Sequence, residues 1–253
     1  MFLISGTSKY SVHSPFLHHF IQDVLDHGGI FYCFPAIELV RKKVSQDKKT
    51  IKKSDLGAGS SYGNKNVIPI NQILKQEQSS PKKAKLLFKM VNYFKPDKVL
   101  EMGTSLGFTT AYLANARKKN EVLSVEADKQ KCKIASITIK SLGIKNVKII
   151  NSSFSDLIQK AKHWHFNFIY FDGNHTEKAT LSYFNWAVEK VSENDVFVFD
   201  DIYWSKEMHN AWASIINHEK PTLTLDLFCM GIVFFNPNLS KQHIKLIHTS
   251  NFY

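Results

Sequence analysis

The 253 residues carry 33 Lys and Arg against 22 Asp and Glu, a formal charge of +11, with 43% hydrophobic and 13% aromatic residues. That apolar content excludes a disordered chain, which lacks the side chains to offset ordering entropy, and the length leaves room for one substantial core but little for a second full-size domain. The basic balance admits phosphate-bearing partners, nucleic acid among them, yet the lysines lie scattered or in short polar runs such as Lys48–Lys49 and Lys118–Lys119, the pattern of a solvated surface.

Cys33, Cys132 and Cys229 are odd in number, widely spaced and without C-x-x-C, as expected of reduced thiols in an intracellular protein. The opening MFLISGTSKYSVHSPF has neither a basic n-region nor a sustained apolar core, and no apolar run reaches the roughly 18 residues that span a bilayer. A cytoplasmic protein without a membrane segment is the expectation. Its oligomeric state is open, a homodimer included.

Along the chain, Ser14-Pro15 supplies an N-cap and a proline at the first helical position, and Gly28 a stop. A second helix is expected from Pro35 to about Lys48. His13, His18 and His19 lack a carboxylate or cysteine at ligand spacing and read as surface or packing residues. Asp55-Leu56-Gly57-Ala58-Gly59 imitates a nucleotide-binding turn, but the preceding TIKKS is too polar for a buried strand and a proline follows where a helix should nucleate. It is read as a glycine-rich loop. Ser80-Pro81 opens a helix to about Phe94 with Leu86, Leu87, Met90 and Val91 on one face. Residues 1–95 are thus expected to form a mostly helical N-terminal cap, and 96–253 the core.

From Lys98 strands and helices alternate. Strands are expected near 98–101, 121–126, 146–150, 166–171 and 195–199, with helices near 107–118, 129–142, 154–162 and 176–190. A further helix opens near Ser205. Such a βαβ series implies an α/β fold with a mostly parallel sheet and right-handed crossovers. LTLDLFCMGIVFFN reads as a C-terminal antiparallel hairpin turning at Met230-Gly231.

The chemistry centres on VLEMGTSLGFTT, where strand residues run into Glu101-x-Gly103-x-x-x-Gly107 and a helix start. Glycines let a ligand approach the main chain, and helix-start N–H groups favour an electron-rich group. The dinucleotide fingerprint G-x-G-x-x-G would need its second glycine at Ser105 and is incomplete. The spacing instead resembles motif I of class I S-adenosylmethionine-dependent methyltransferases, on a Rossmann-like fold. The resemblance implies that Glu101 and the turn Gly103, Thr104, Ser105 and Gly107 hold the methionine part of the cofactor. Glu126 ends the next strand 25 residues later, where a carboxylate can accept both ribose hydroxyls. Ala127 beside it, and Ser152, Ser153 or Phe154 after the third strand, would flank the adenine.

Asp172 ends the fourth strand and Asp200-Asp201 the fifth. Three carboxylates at adjacent strand ends repel unless a cation sits among them, and hard oxygen ligands suit Mg²⁺ or Ca²⁺; the other reading is that Asp172 or Asp201 caps the following helix. The pattern is similar to that of metal-dependent O-methyltransferases of the catechol and caffeoyl-coenzyme A type, and of antibiotic-sugar O-methyltransferases, over about residues 80–236. That resemblance implies a divalent cation, Mg²⁺, on Asp172, Asp200 and Asp201, with Asp172 also bordering the cofactor. Catechol-type enzymes carry a lysine base three residues after the fourth-strand Asp. This chain has His175 there, an imidazole able to accept a proton at neutral pH, or else a partner of the site or a cap of the next helix. Tyr203 and Trp204 are candidate pocket walls.

The expected function is S-adenosylmethionine-dependent, metal-assisted O-methylation of a small hydroxylated molecule, with His175 and Asp172 catalytic. Two alternatives stand beside it. One is an RNA or protein methyltransferase, against which D-G-N-H replaces the N-P-P-Y type of sequence after strand four. The other is a non-catalytic cofactor- or nucleic-acid-binding module.

Overall fold

The computed structural model describes residues 6–11, 13–52 and 67–247; the glycine-rich stretch at Asp55–Gly59 lies outside them. In chain order the elements are β1 (Thr7–Ser8), α1 (Pro15–Phe20), α2 (Phe34–Ser45), β2 (Thr50–Lys52), β3 (Val67–Pro69), α3 (Ile70–Gln76), α4 (Pro81–Phe94), β4 (Lys98–Met102) and α5 (Phe108–Asn115). There follow β5 (Glu121–Glu126), α6 (Lys129–Ser141), β6 (Val147–Asn151), α7 (Phe154–Lys160), β7 (Phe168–Phe171), α8 (Glu177–Val188), β8 (Val196–Asp200) and α9 (Lys206–Asn217). The chain closes with β9 (Leu223–Asp226), β10 (Met230–Phe234) and β11 (Gln242–Ile247). The expected β/α series is present, its element ends displaced by up to three residues.

The chain divides into two compact units, Gly29–Lys160 and Met1–Gly28 with Ala161–Tyr253. This differs from the expected boundary near residue 95: residues 1–95 are shared between the units instead of forming a cap of their own. Nor are they all helical, since β1, β2 and β3 lie among them. The expected first helix also breaks early, α1 passing at Ile21 into a π-helical turn over Ile21–Leu25.

In the Gly29–Lys160 unit, β4, β5 and β6 run parallel, with Leu100 opposite Leu123 and Glu126 opposite Asn151. β2 and β3 form a separate antiparallel pair. Helix α4 starts where the Ser80 hydroxyl accepts from the Lys83 N–H at 3.3 Å, with Pro81 in its first turn. It ends at Lys95, whose φ of 52° is left-handed, just before Pro96. Ala84, Leu87, Phe88 and Val91 are buried along its apolar face. Helix α5 is buried on all sides from Phe108 to Ala114, so packing and not amphipathicity places it. An aromatic cluster joins α2, α4 and α5: Phe34 lies 4.9 Å from Phe88 and 5.3 Å from Tyr112, ring to ring.

In the other unit the strand order is β1-β11-β9-β10-β8-β7. β7 and β8 are parallel, and β10 runs antiparallel to both β8 and β9. β11, which the sequence reading did not anticipate, pairs parallel with β9 and with β1. Phe16 and Phe20 of α1 pack edge-on against Phe234 of β10, at 5.1 and 5.9 Å. Gly231 answers a steric demand: a Cβ there would stand 2.5 Å from the Trp212 ring of α9. Ser205 caps α9, its hydroxyl accepting from the Met208 N–H at 3.2 Å.

Candidate active site

In the Gly29–Lys160 unit the sequence-predicted cofactor residues come together at the carboxyl ends of β4 and β5. Between Met102 and Phe108 the chain takes left-handed φ three times: 121° at Gly103, 45° at Ser105 and 82° at Gly107. At Gly107 a Cβ would also meet Ala135 of α6 at 3.0 Å, so both backbone angle and close helix packing call for glycine. The Gly103 and Thr104 N–H groups both donate to the Val125 carbonyl, at 3.0 and 3.2 Å, which ties the turn to the end of β5.

Two carboxylates flank this turn. Glu126 accepts from the Ser105 N–H and from the Asp128 N–H, each at 2.9 Å, so main-chain donors fix its orientation. Burial nevertheless raises its pKa. Glu101 is fully buried, its Oε2 accepting from the hydroxyls of Thr110 and Ser124 while Oε1 has no hydrogen-bond partner among the described residues. Burial pushes its carboxyl up to about 7 against the pull of those two donors. An unmatched buried carboxylate oxygen beside a glycine turn suits a cationic ligand group.

The remaining predicted cofactor residues divide. Thr104 is fully buried with its hydroxyl 2.5 Å from the Ser124 hydroxyl, so its side chain braces the turn from behind. The Ser153 hydroxyl accepts from the Asp156 N–H at 3.0 Å and caps α7. Ala127 is half-buried, its carbonyl accepting from Asn151 Nδ2 at 2.8 Å, and the Glu126 carbonyl accepts from the same amide at 2.9 Å. Asn151, Thr110 and Ser124 were not picked out from the sequence. Strand register sets Ser124 against Glu101 and Asn151 against Glu126, and Thr110 reaches Glu101 from α5.

In the other unit, Asp172 follows β7, and its Oδ1 lies 3.8 Å from His175 Nε2. Asn174 between them has a φ of 51° and donates from Nδ2 to the Tyr183 hydroxyl at 3.0 Å, which turns the loop back on itself. Thr176 and Ser205 occupy the positions before α8 and α9, so neither Asp172, His175 nor Asp201 caps the helix that follows it.

Asp200 is buried at the end of β8 opposite Met230, and Asp201 beyond it has a φ of 49° with its N–H on the Cys229 carbonyl at 3.2 Å. Among the described residues no three His, Cys, Asp or Glu side chains converge as a group that could hold a metal ion. The expected site of Asp172, Asp200 and Asp201 is not formed by their donors as arranged.

Another acid stands at this edge instead. Asp226 ends β9 fully buried, accepting from the Tyr203 hydroxyl at 2.5 Å and from the Phe228 N–H at 2.7 Å. Burial, with Asp226 adding to it, pushes the Tyr203 hydroxyl pKa up, so the phenol stays protonated. The Tyr203 ring stacks on Phe228 at 5.4 Å and lies 5.5 Å from His209. Trp204 is 74% exposed, which leaves Tyr203 as the one of the two expected walls that is built into the structure. His13, His18 and His19 are exposed, as their lack of ligand spacing implies.

Residues 100–202 match the family model Methyltransf_24, a methyltransferase domain. A search of curated proteins finds no match. Solved structures share the fold. The O-methyltransferase of Bacillus cereus in complex with SAH is 16% identical, with 92% of this chain and all of that one covered and a TM-score of 0.59. The methyltransferase PaMTH1 of Podospora anserina, bound to SAH, is 12% identical over 89% of this chain and 97% of that one, at 0.60. The O-methyltransferase TomG of Streptomyces achromogenes, in complex with SAM, is 15% identical over 63% and 82%, at 0.57. Among the described residues no helix is long and apolar enough to cross a membrane. Residues 100–202 thus match a methyltransferase domain, and the chain shares its Rossmann-like α/β fold with these solved methyltransferase structures.

Proposed function

We propose that the protein transfers the methyl group of S-adenosylmethionine to a hydroxyl oxygen of a small molecule. The observation that carries this reading is the Gly103–Gly107 turn. It has three left-handed residues, a half-buried Gly103 and a Ser105 N–H fixed on the Glu126 carboxylate, and it is flanked by two strand-end acids. These residues fit the cofactor: Glu126 retains lone pairs for the ribose hydroxyls, the unmatched Oε1 of Glu101 suits the cationic amino-acid end, and Gly103 and Gly107 let the backbone approach. When bound, the cofactor supplies an electrophilic methyl carbon whose bond to sulfur breaks as the bond to the acceptor oxygen forms. Positioning by the fold then accounts for much of the rate.

The acceptor proton is assigned to His175. Its Nε2 lies 3.8 Å from the Asp172 Oδ1, and an imidazole is a suitable proton acceptor for a hydroxyl at neutral pH. Asp172 would steady the imidazolium that forms. For the expected divalent cation, no group of three His, Cys, Asp or Glu side chains among the described residues fits as a donor set, and the proton route uses this chain's own residues.

An assay of labelled methyl transfer to hydroxylated small molecules, run with and without chelator, tests the reading. Transfer that resists chelation and falls in His175→Ala supports it. Transfer that a chelator abolishes would show that Asp172, Asp200 and Asp201 regroup around a cation, and would replace this proton route. Absence of S-adenosylmethionine binding in calorimetry would end the proposal outright.

A further inference from the structure

A cleft of about 620 Å³ opens between α2 and α3, within the size range of small-molecule sites. From α2 it is lined by Glu38, Arg41 and Lys42, and from α3 by Asn71 and Lys75, with Ser45 and Gln72 adding hydrogen-bonding groups. Three cations therefore face one carboxylate. That carboxylate is engaged: Glu38 Oε1 accepts from the Tyr112 hydroxyl of α5.

Arg41 is held and yet unsatisfied. Its guanidinium lies over the Phe108 ring, 5.5 Å from the centroid, which fixes its plane. Its Nη1 is buried without a hydrogen-bond partner among the described residues. A buried donor without an acceptor is costly, and native structures keep few of them. Burial also pushes the Arg41 pKa below its usual value, a cost that an anion in the cleft would offset. A rigid guanidinium fork matches the oxygens of a phosphate, and two flanking ammonium groups bring the surplus to two positive charges once Glu38 is counted. A monocarboxylate would balance only half of that. A phosphate monoester, near two negative charges at neutral pH, balances it fully.

We propose that the α2/α3 cleft binds the phosphate group of a small phosphorylated molecule, with Arg41 at its centre and Lys42 and Lys75 at its rim. The site lies on the face of α5 that carries Phe108 and Tyr112, one residue beyond the glycine turn, and it stands independently of the methyl-transfer reading. Two consequences follow. Inorganic phosphate should bind saturably where acetate and chloride do not, and charge changes at Arg41 and Lys75 should weaken it without touching Glu126.

Calorimetry on the full chain at pH 7.5 tests this with inorganic phosphate, acetate and chloride at matched ionic strength. The expected result is a saturable heat for phosphate alone, weakened about tenfold or more in Arg41→Gln, the scale of a lost charge-assisted pair. Because Arg41 packs on Phe108, its variant could fail to fold, and Lys75→Glu on the exposed end of α3 provides the second arm. Lys75→Glu should lose phosphate about tenfold while keeping wild-type S-adenosylmethionine affinity. Equal responses to phosphate, acetate and chloride, or wild-type phosphate affinity in Lys75→Glu, would overturn the proposal.

Discussion

The turn from Gly103 to Gly107 and the strand ends at Asp172 and Asp200–Asp201 are both sites read from short sequence patterns, and the structure treats them differently. At the turn, function depends on backbone shape, and a backbone demand such as left-handed φ is written in the local residues. At the strand ends it depends on whether distant side chains point to one place. Their spacing brings the acids to strand termini, yet among the described residues they make no group that could hold a metal ion. Backbone-built sites are thus more legible than sites built from converging side chains.

The sharpest way to break that contrast is at His175. His175→Ala should lower turnover by roughly 10²–10⁴-fold, the usual contribution of a positioned base, with cofactor affinity unchanged. Single-turnover kinetics beside calorimetry separates the two, and a variant with wild-type turnover would leave the strand ends without a catalytic role.

Next in size is a pH effect at Glu101. Its carboxyl rises from 4.5 to about 7 on folding, so between those values the native state holds a proton that the unfolded chain has released. The stability it contributes is present below pH 4.5 and is lost as pH rises through 7, by about 3 kcal/mol at most. Urea unfolding across pH 5 to 8 should show the fall in wild type and not in Glu101→Gln; parallel profiles would mean that Glu101 is ionised throughout.

Smaller again, Glu126→Ala should weaken S-adenosylmethionine binding by about 2 kcal/mol, the scale of losing charge-assisted hydrogen bonds. Unchanged affinity in calorimetry would remove the ribose assignment and with it much of the case for the turn. The least effect is expected at Trp204, whose exposed ring should tolerate alanine with less than about twofold change in KM, as exposed positions without buried contacts usually do. A large rise in KM would instead make this ring part of acceptor recognition, a role its exposure conceals.

Much of the architecture was determined by sequence. Ser80-Pro81 and Ser205 announced helix starts that the structure caps with their hydroxyls, and the βαβ periodicity placed the strands within a residue or two. The left-handed backbone of the glycine turn and the place of Glu126 at the end of β5 were legible because backbone requirements and strand spacing are local properties. Only tertiary structure decided that β11 joins β9 and β1, because the Asn236-Pro237 turn and the Ile244/Leu246 alternation mark a strand but not its partners. Tertiary structure alone also set Thr110 and Ser124 on Glu101, Tyr203 on Asp226 and Tyr112 on Glu38, pairs separated by 9 to 74 residues. The physical reason is one of range: a side chain's backbone preferences act over a few residues, whereas its hydrogen-bond partner is chosen by whichever donor the packed elements bring within reach.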